Sequence, residues 1–74
     1  MSTSRIRIYG VFRNNHTKSN RSNVYLGETE IDSNIIQGST KQANAVIMRI
    51  AEREFPDKVY SMIDEELISV NWSR

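Results

Sequence analysis

Between Arg5 and Arg13 the chain alternates without a break. Ile6, Ile8, Gly10 and Phe12 occupy one set of positions, and Arg5, Arg7, Tyr9, Val11 and Arg13 occupy the other. Successive side chains of a strand point to opposite faces, so a period of two in β-branched, aromatic and basic residues is the pattern of a half-buried strand and does not suit a helix. A second candidate strand runs from Val24 to Asp32. The polar stretch Asn14–Asn23, rich in Asn and Ser, reads as a mobile loop between them.

Pairing the two strands as an antiparallel hairpin predicts a register. With Arg13 opposite Val24, Arg7 faces Glu30, Arg5 faces Asp32, Ile6 faces Ile31, Ile8 faces Thr29 and Phe12 faces Tyr25. Opposite charges then meet on one face and apolar residues on the other, which is how cross-strand pairs stabilise a sheet. Gly10 falls opposite Gly27, a dent that would let a helix backbone approach closely.

Ser39-Thr40-Lys41-Gln42 has the form of a capping box, in which the Ser39 side chain accepts from the Gln42 amide. Ala43, Val46, Ile47, Ile50 and Ala51 then recur at helical spacing and predict a buried stripe, with Ala45, Met48, Arg49 and Glu52 opposite. Pro56 ends this helix, because the residue before a proline is pushed out of the helical region. The same proline suits the first position of a short second helix, with Val59, Met62, Ile63 and Leu67 on its buried edge. A strand over 58–63 is the competing reading. Leu67–Trp72 alternates again and predicts a final strand with Ile68, Val70 and Trp72 on one face. The expected fold is a small two-layer α+β domain of order ββααβ. The first and last strands pair, giving a three-stranded antiparallel or mixed sheet of order 2-1-3 with the helix across one face.

Seventy-four residues allow one domain, 1–74. A chain this short buries only about 60% of its unfolded surface, so each large apolar residue counts. It contains no cysteine, which removes disulfides, thiolate metal sites and a cysteine nucleophile, and favours a reducing, cytoplasmic setting. No apolar run suits a membrane span or an export signal.

Chemical motifs are sparse. His16 is the lone imidazole and sits in the polar loop with no acid near it in sequence. Asp64-Glu65-Glu66 are consecutive, a spacing that does not converge on one ion. Gly10, Gly27 and Gly38 are too scattered to cradle a phosphate. No catalytic residues, metal ligands or cofactors are expected, and the chain reads as a non-enzymatic binding protein.

Two surfaces follow from the pattern. With strict alternation, Tyr9, Val11, Val24 and Leu26 cluster on the sheet face away from the helix, rimmed by charges that include Arg13 and Glu28. An exposed apolar patch with a charged rim marks a protein-binding surface. The expected function is that of a small inhibitor or adaptor occupying a surface of a larger protein or complex. Accessory proteins of bacterial or phage type are often of this size. Self-association into a homodimer, through the outer sheet face or an edge strand, belongs to the same expectation. The alternative is a nucleic-acid-binding module. The net charge of +1 conceals a basic first third, since Arg5, Arg7, Arg13, Lys18 and Arg21 all precede the first acid, Glu28. Cross-strand pairing accounts for Arg5 and Arg7, whereas the loop cations have no partner evident in the sequence.

Overall fold

The computed structural model describes residues 2–74. Strands β1 (Thr3–Asn14) and β2 (Asn20–Asp32) form a hairpin. Helices α1 (Ser33–Gln37), α2 (Thr40–Glu54) and α3 (Pro56–Val59) follow, and strand β3 (Glu65–Ser73) closes the chain. The sheet order is β2-β1-β3 with both pairings antiparallel. This is the predicted α+β architecture with one extra helical turn, α1. Asp32 caps that turn by accepting from the Asn34 amide at 2.9 Å. A bond between the hydroxyls of Ser4 and the buried Ser33, 2.8 Å long, ties α1 to the first strand.

The hairpin register differs from the predicted one by two residues at its open end and, past two irregularities, by four beside the turn, where Arg13 pairs with Asn20 instead of Val24. Arg5 pairs with Glu30 and Arg7 with Glu28, while Thr3 takes the place opposite Asp32. The polar segment that was expected to be a ten-residue loop causes the shift. Half of it, residues 14 and 20–23, is strand, and only residues 15–19 turn. The Asn14 side chain accepts from the amides of His16 and Thr17, Lys18 adopts φ 62, and the Asn14 amide donates to the Ser19 carbonyl. An Asn side chain that satisfies the amides of its own turn makes a tight, ordered reversal.

Two irregularities interrupt β2, between Ile8/Tyr9 and between Gly10/Phe12. At the first, Ile8 pairs with Gly27 and Tyr9 with Tyr25, so Leu26 is the additional residue of a β-bulge. The bulge reverses the facing of the residues between it and the second irregularity. Leu26 turns into the core at 1% exposure, Val24 packs against that core, and Tyr25 turns outward at 45% exposure. Two predictions are thereby corrected: Val24 and Leu26 leave the outer face, and Tyr25 does not face Phe12. Gly10 and Gly27 are also unpaired with each other. The space above Gly27 is filled by the Phe55 ring, and that above Gly10 by Phe12 and Leu67, so side chains rather than a helix backbone use both gaps.

The core comprises Ile6, Ile8 and Phe12 of β1, Leu26 and Ile31 of β2, Ala43, Ile47 and Ala51 of α2, Val59 of α3 and Val70 of β3. Helix α2 lies on the sheet through the i, i+4 row Ala43–Ile47–Ala51, where two alanines permit close approach. The buried stripe is rotated from the predicted one. Met48 packs against the core instead of facing away, while Val46 is exposed. Ser39 is the N-cap residue, but its side chain makes no capping bond; the Ala43 amide donates to the Ser39 carbonyl instead. Pro56 ends α2 and starts α3 as predicted, with Phe55 serving both as C-cap and N-cap.

Candidate functional site

Helix α3 is a single turn and stops at Val59, and this brevity creates the main surface feature. Had the helix continued, Ile63 would have followed Val59 by four residues onto the buried edge. Instead the chain leaves through Tyr60–Asp64 before joining β3. Val59 is buried, and Met62 and Leu67 pack against the core, but Ile63 is 95% exposed and Tyr60 68% exposed. Val59, Tyr60, Met62, Ile63 and Leu67 line an open groove of about 400 Å³, with Glu52, Glu65 and Glu66 on its walls. A β-branched side chain standing almost wholly in water beside a concave apolar wall is the kind of feature that marks a contact surface.

Hydrogen bonds from the hairpin tie down the segment that lines the groove. The Asn15 amide donates to the Asp64 carbonyl at 2.8 Å, and His16 Nε2 lies 3.1 Å from Asp64 Oδ1. Thus the hairpin turn is fastened to the 60–64 segment, and the acid that orients His16 is 48 residues away in sequence. Both side chains are exposed. Arg21 reaches across β1 to Glu65 at 3.1 Å, and its other guanidinium nitrogen lies 3.7 Å from the Met62 sulfur. Arg13 donates to Glu66 at 2.7 Å, while its buried Nε has no partner.

On the outer sheet face, Tyr9 and Val11 remain from the predicted cluster, joined by Tyr25. The two tyrosine rings lie 5.6 Å apart at 57°, and the Lys58 ammonium sits 5.4 Å from the Tyr25 ring centre. Beside them Glu28 accepts from both Arg5, at 2.9 Å, and Arg7, at 3.2 Å. These two hydrogen bonds hold the Glu28 carboxyl below its ordinary value and raise both guanidinium groups above theirs. A shallower depression of about 220 Å³ lies among Arg5, Ile6, Arg7, Glu28 and Arg74.

Six residues were predicted to form one protein-binding patch: Tyr9, Val11, Arg13, Val24, Leu26 and Glu28. Four of them, Tyr9, Val11, Arg13 and Glu28, share the outer face, whereas Val24 and Leu26 lie under the helices. Of the five predicted phosphate-binding cations, Arg5, Arg7, Arg13 and Arg21 each meet a carboxylate, and Lys18 has no ion-pair partner among the described residues. Tyr60 and Ile63 were not singled out as binding residues, because Ile63 sits at helical spacing from Val59. Among the described residues, no group of three or more His, Asp or Glu side chains converges as a metal site. No described helix is long and apolar enough to cross a membrane. No family model, curated protein or solved structure matches the chain.

Proposed function

We propose that this domain acts by binding another protein, as an inhibitor or adaptor that occupies part of a larger partner, and that the groove beside Ile63 is its contact surface. The observation carrying this reading is the 95% exposure of Ile63 next to the apolar wall of Val59, Met62 and Leu67. Burying one aliphatic side chain of this size is worth about 1.5–3 kcal/mol, enough to anchor an interface. Glu52 has no ion-pair partner among the described residues, whereas Glu65 and Glu66 on the same wall are already paired with Arg21 and Arg13. The fitting partner segment therefore presents apolar side chains with a Lys or Arg placed to meet Glu52. The outer-face tyrosines form a secondary contact in this reading. Nucleic-acid binding is the less favoured alternative, because four of its five candidate cations already sit against carboxylates.

The test is affinity capture of the tagged protein with and without nuclease, beside Ile63→Asp and an Arg13→Gln/Lys18→Gln/Arg21→Gln variant. A stoichiometric protein that survives nuclease and is lost with Ile63→Asp supports the groove. Nucleic acid that co-purifies and is lost with the triple variant overturns it.

A further inference from the structure

We propose that two copies of this domain pair through one flank of α2, antiparallel about a two-fold axis, so that Lys41 of each copy meets Glu52 of the other across a seam of Ala45 and Met48. Lys41, Ala45, Met48 and Glu52 follow one another at steps of four, three and four residues. At 3.6 residues per turn these steps keep all four within an arc of about 60°, the narrow stripe of a two-helix seam. Lys41 and Ala45 are exposed and Met48 and Glu52 half-buried, and none of them belongs to the Ala43–Ile47–Ala51 row that faces the sheet.

The charges single out the occupant. Lys41 lies in the first turn of α2 and Glu52 in the last. Each therefore stands at the end of the helix where the macrodipole disfavours it. Nothing within the chain compensates. The first turn holds no acidic residue, and Ser39 supplies no side-chain cap. Neither Lys41 nor Glu52 has an ion-pair partner among the described residues. Arg53, the basic residue of the last turn, is turned to Glu54 at 3.6 Å. Arg49 precedes Glu52 by three residues, the weaker order for a helical ion pair, and makes none. An antiparallel second copy reverses both misplacements. It lays Lys41 beside the carbonyl end of the other helix and Glu52 beside the amide end, and the two-fold axis makes the pair twice.

The same register suits the middle of the seam. With Lys41 opposite Glu52, Ala45 falls opposite Met48, and a small side chain facing a long one lets two helices approach closely. Arg49 then faces Asn44, so no like charges are opposed. A parallel pair would instead set Lys41 against Lys41 and Glu52 against Glu52. An antiparallel pair centred on Ala45 would set Lys41 against Arg49. Ile63 and the apolar wall of the groove lie outside the seam, so this contact does not rest on the groove reading; Glu52 alone borders both.

Light scattering of the parent protein should give a mass rising with concentration from 8.6 kDa toward twice that value, and added salt should suppress the rise. Lys41→Glu and Glu52→Lys should each weaken the association by about tenfold or more, because two attractive pairs become repulsive. Both substitutions bring the charge into line with the dipole of the isolated helix, so circular dichroism should show the fold intact. Mixed in equal amounts, the two variants should recover the association of the parent, since both pairs between unlike copies are again of opposite sign. Ile63→Asp should dimerise like the parent, which separates this contact from the one in the groove. A parent protein that stays monomeric at every concentration, a dimer that survives both reversals, a mixture that remains monomeric, or a dimer lost with Ile63→Asp would each overturn the proposal.

Discussion

The bulge at Leu26 decides which side chains build the core, and replacing Leu26 by alanine tests it directly. Leu26 is 1% exposed and touches the cluster formed by β1, α2 and α3. The three carbons removed are worth roughly 2.4 kcal/mol at about 0.8 kcal/mol per methylene. The space left behind raises the cost, and buried Leu→Ala substitutions range over about 2.7–5.0 kcal/mol. Because β2 is an edge strand that can relax inward, a value near 3 kcal/mol is expected. A domain of this length has a total stability of about 4–11 kcal/mol, so the loss is a large fraction of the whole. In urea, with a slope of about 1 kcal/mol/M, the midpoint should fall by about 3 M, followed by far-ultraviolet circular dichroism. Tyr25→Ala is the matched control. Tyr25 is 45% exposed and contributes a tilted ring pair with Tyr9 and a contact with Lys58, together about 1 kcal/mol. Without the bulge, strict alternation would send Leu26 to water and Tyr25 against Phe12, reversing the order of the two effects. A larger loss for Tyr25→Ala than for Leu26→Ala would refute the bulge and the core built on it.

Gly10→Ala places a Cβ 2.7 Å from the Phe12 ring and 2.9 Å from a Leu67 methyl, and should cost about 1–3 kcal/mol in a denaturation curve by overpacking. Trp72→Phe removes the 3.2 Å bond from the indole to Asn44 and should cost about 0.5–1.5 kcal/mol, with an unchanged fold by circular dichroism. Ile63→Asp should shift stability by no more than about 0.5 kcal/mol, since the side chain stands in solvent; a large loss would place Ile63 in the core. Glu28 has its folded pKa depressed by Arg5 and Arg7, so its contribution is present above the ordinary carboxylate value and fades as pH falls through the lower folded value. Thermal midpoints of Glu28→Gln should therefore lie below those of the parent protein near neutrality and converge with them in acid. Added salt should shrink the gap, because the pair is exposed.

Much of the architecture was legible in the amino-acid order. The alternation in Arg5–Arg13 assigned Ile6, Ile8 and Phe12 to the core, because a strand's side-chain period is set by its backbone. The apolar spacing after Ser39, and the effect of Pro56 on the residue before it, located α2 and its end in the same local way. These properties depend on neighbours along the chain, so the chain alone determined them, and the sheet order 2-1-3 followed from where the helix must return.

Only the tertiary structure decided which face Leu26 and Tyr25 occupy. Both fit a strand equally well, and the bulge that separates them is resolved by filling the space beneath α2 and Phe55. The same competition displaced the predicted patch and produced another. Ile63 has the spacing of a buried helical residue, yet α3 stops one turn in, and the segment that follows is held by the Asn15 and His16 contacts to Asp64. Those contacts link residues nearly fifty positions apart, a separation at which sequence periodicity carries no signal. Local order determined the elements; packing among distant elements determined which of their side chains remained for a partner.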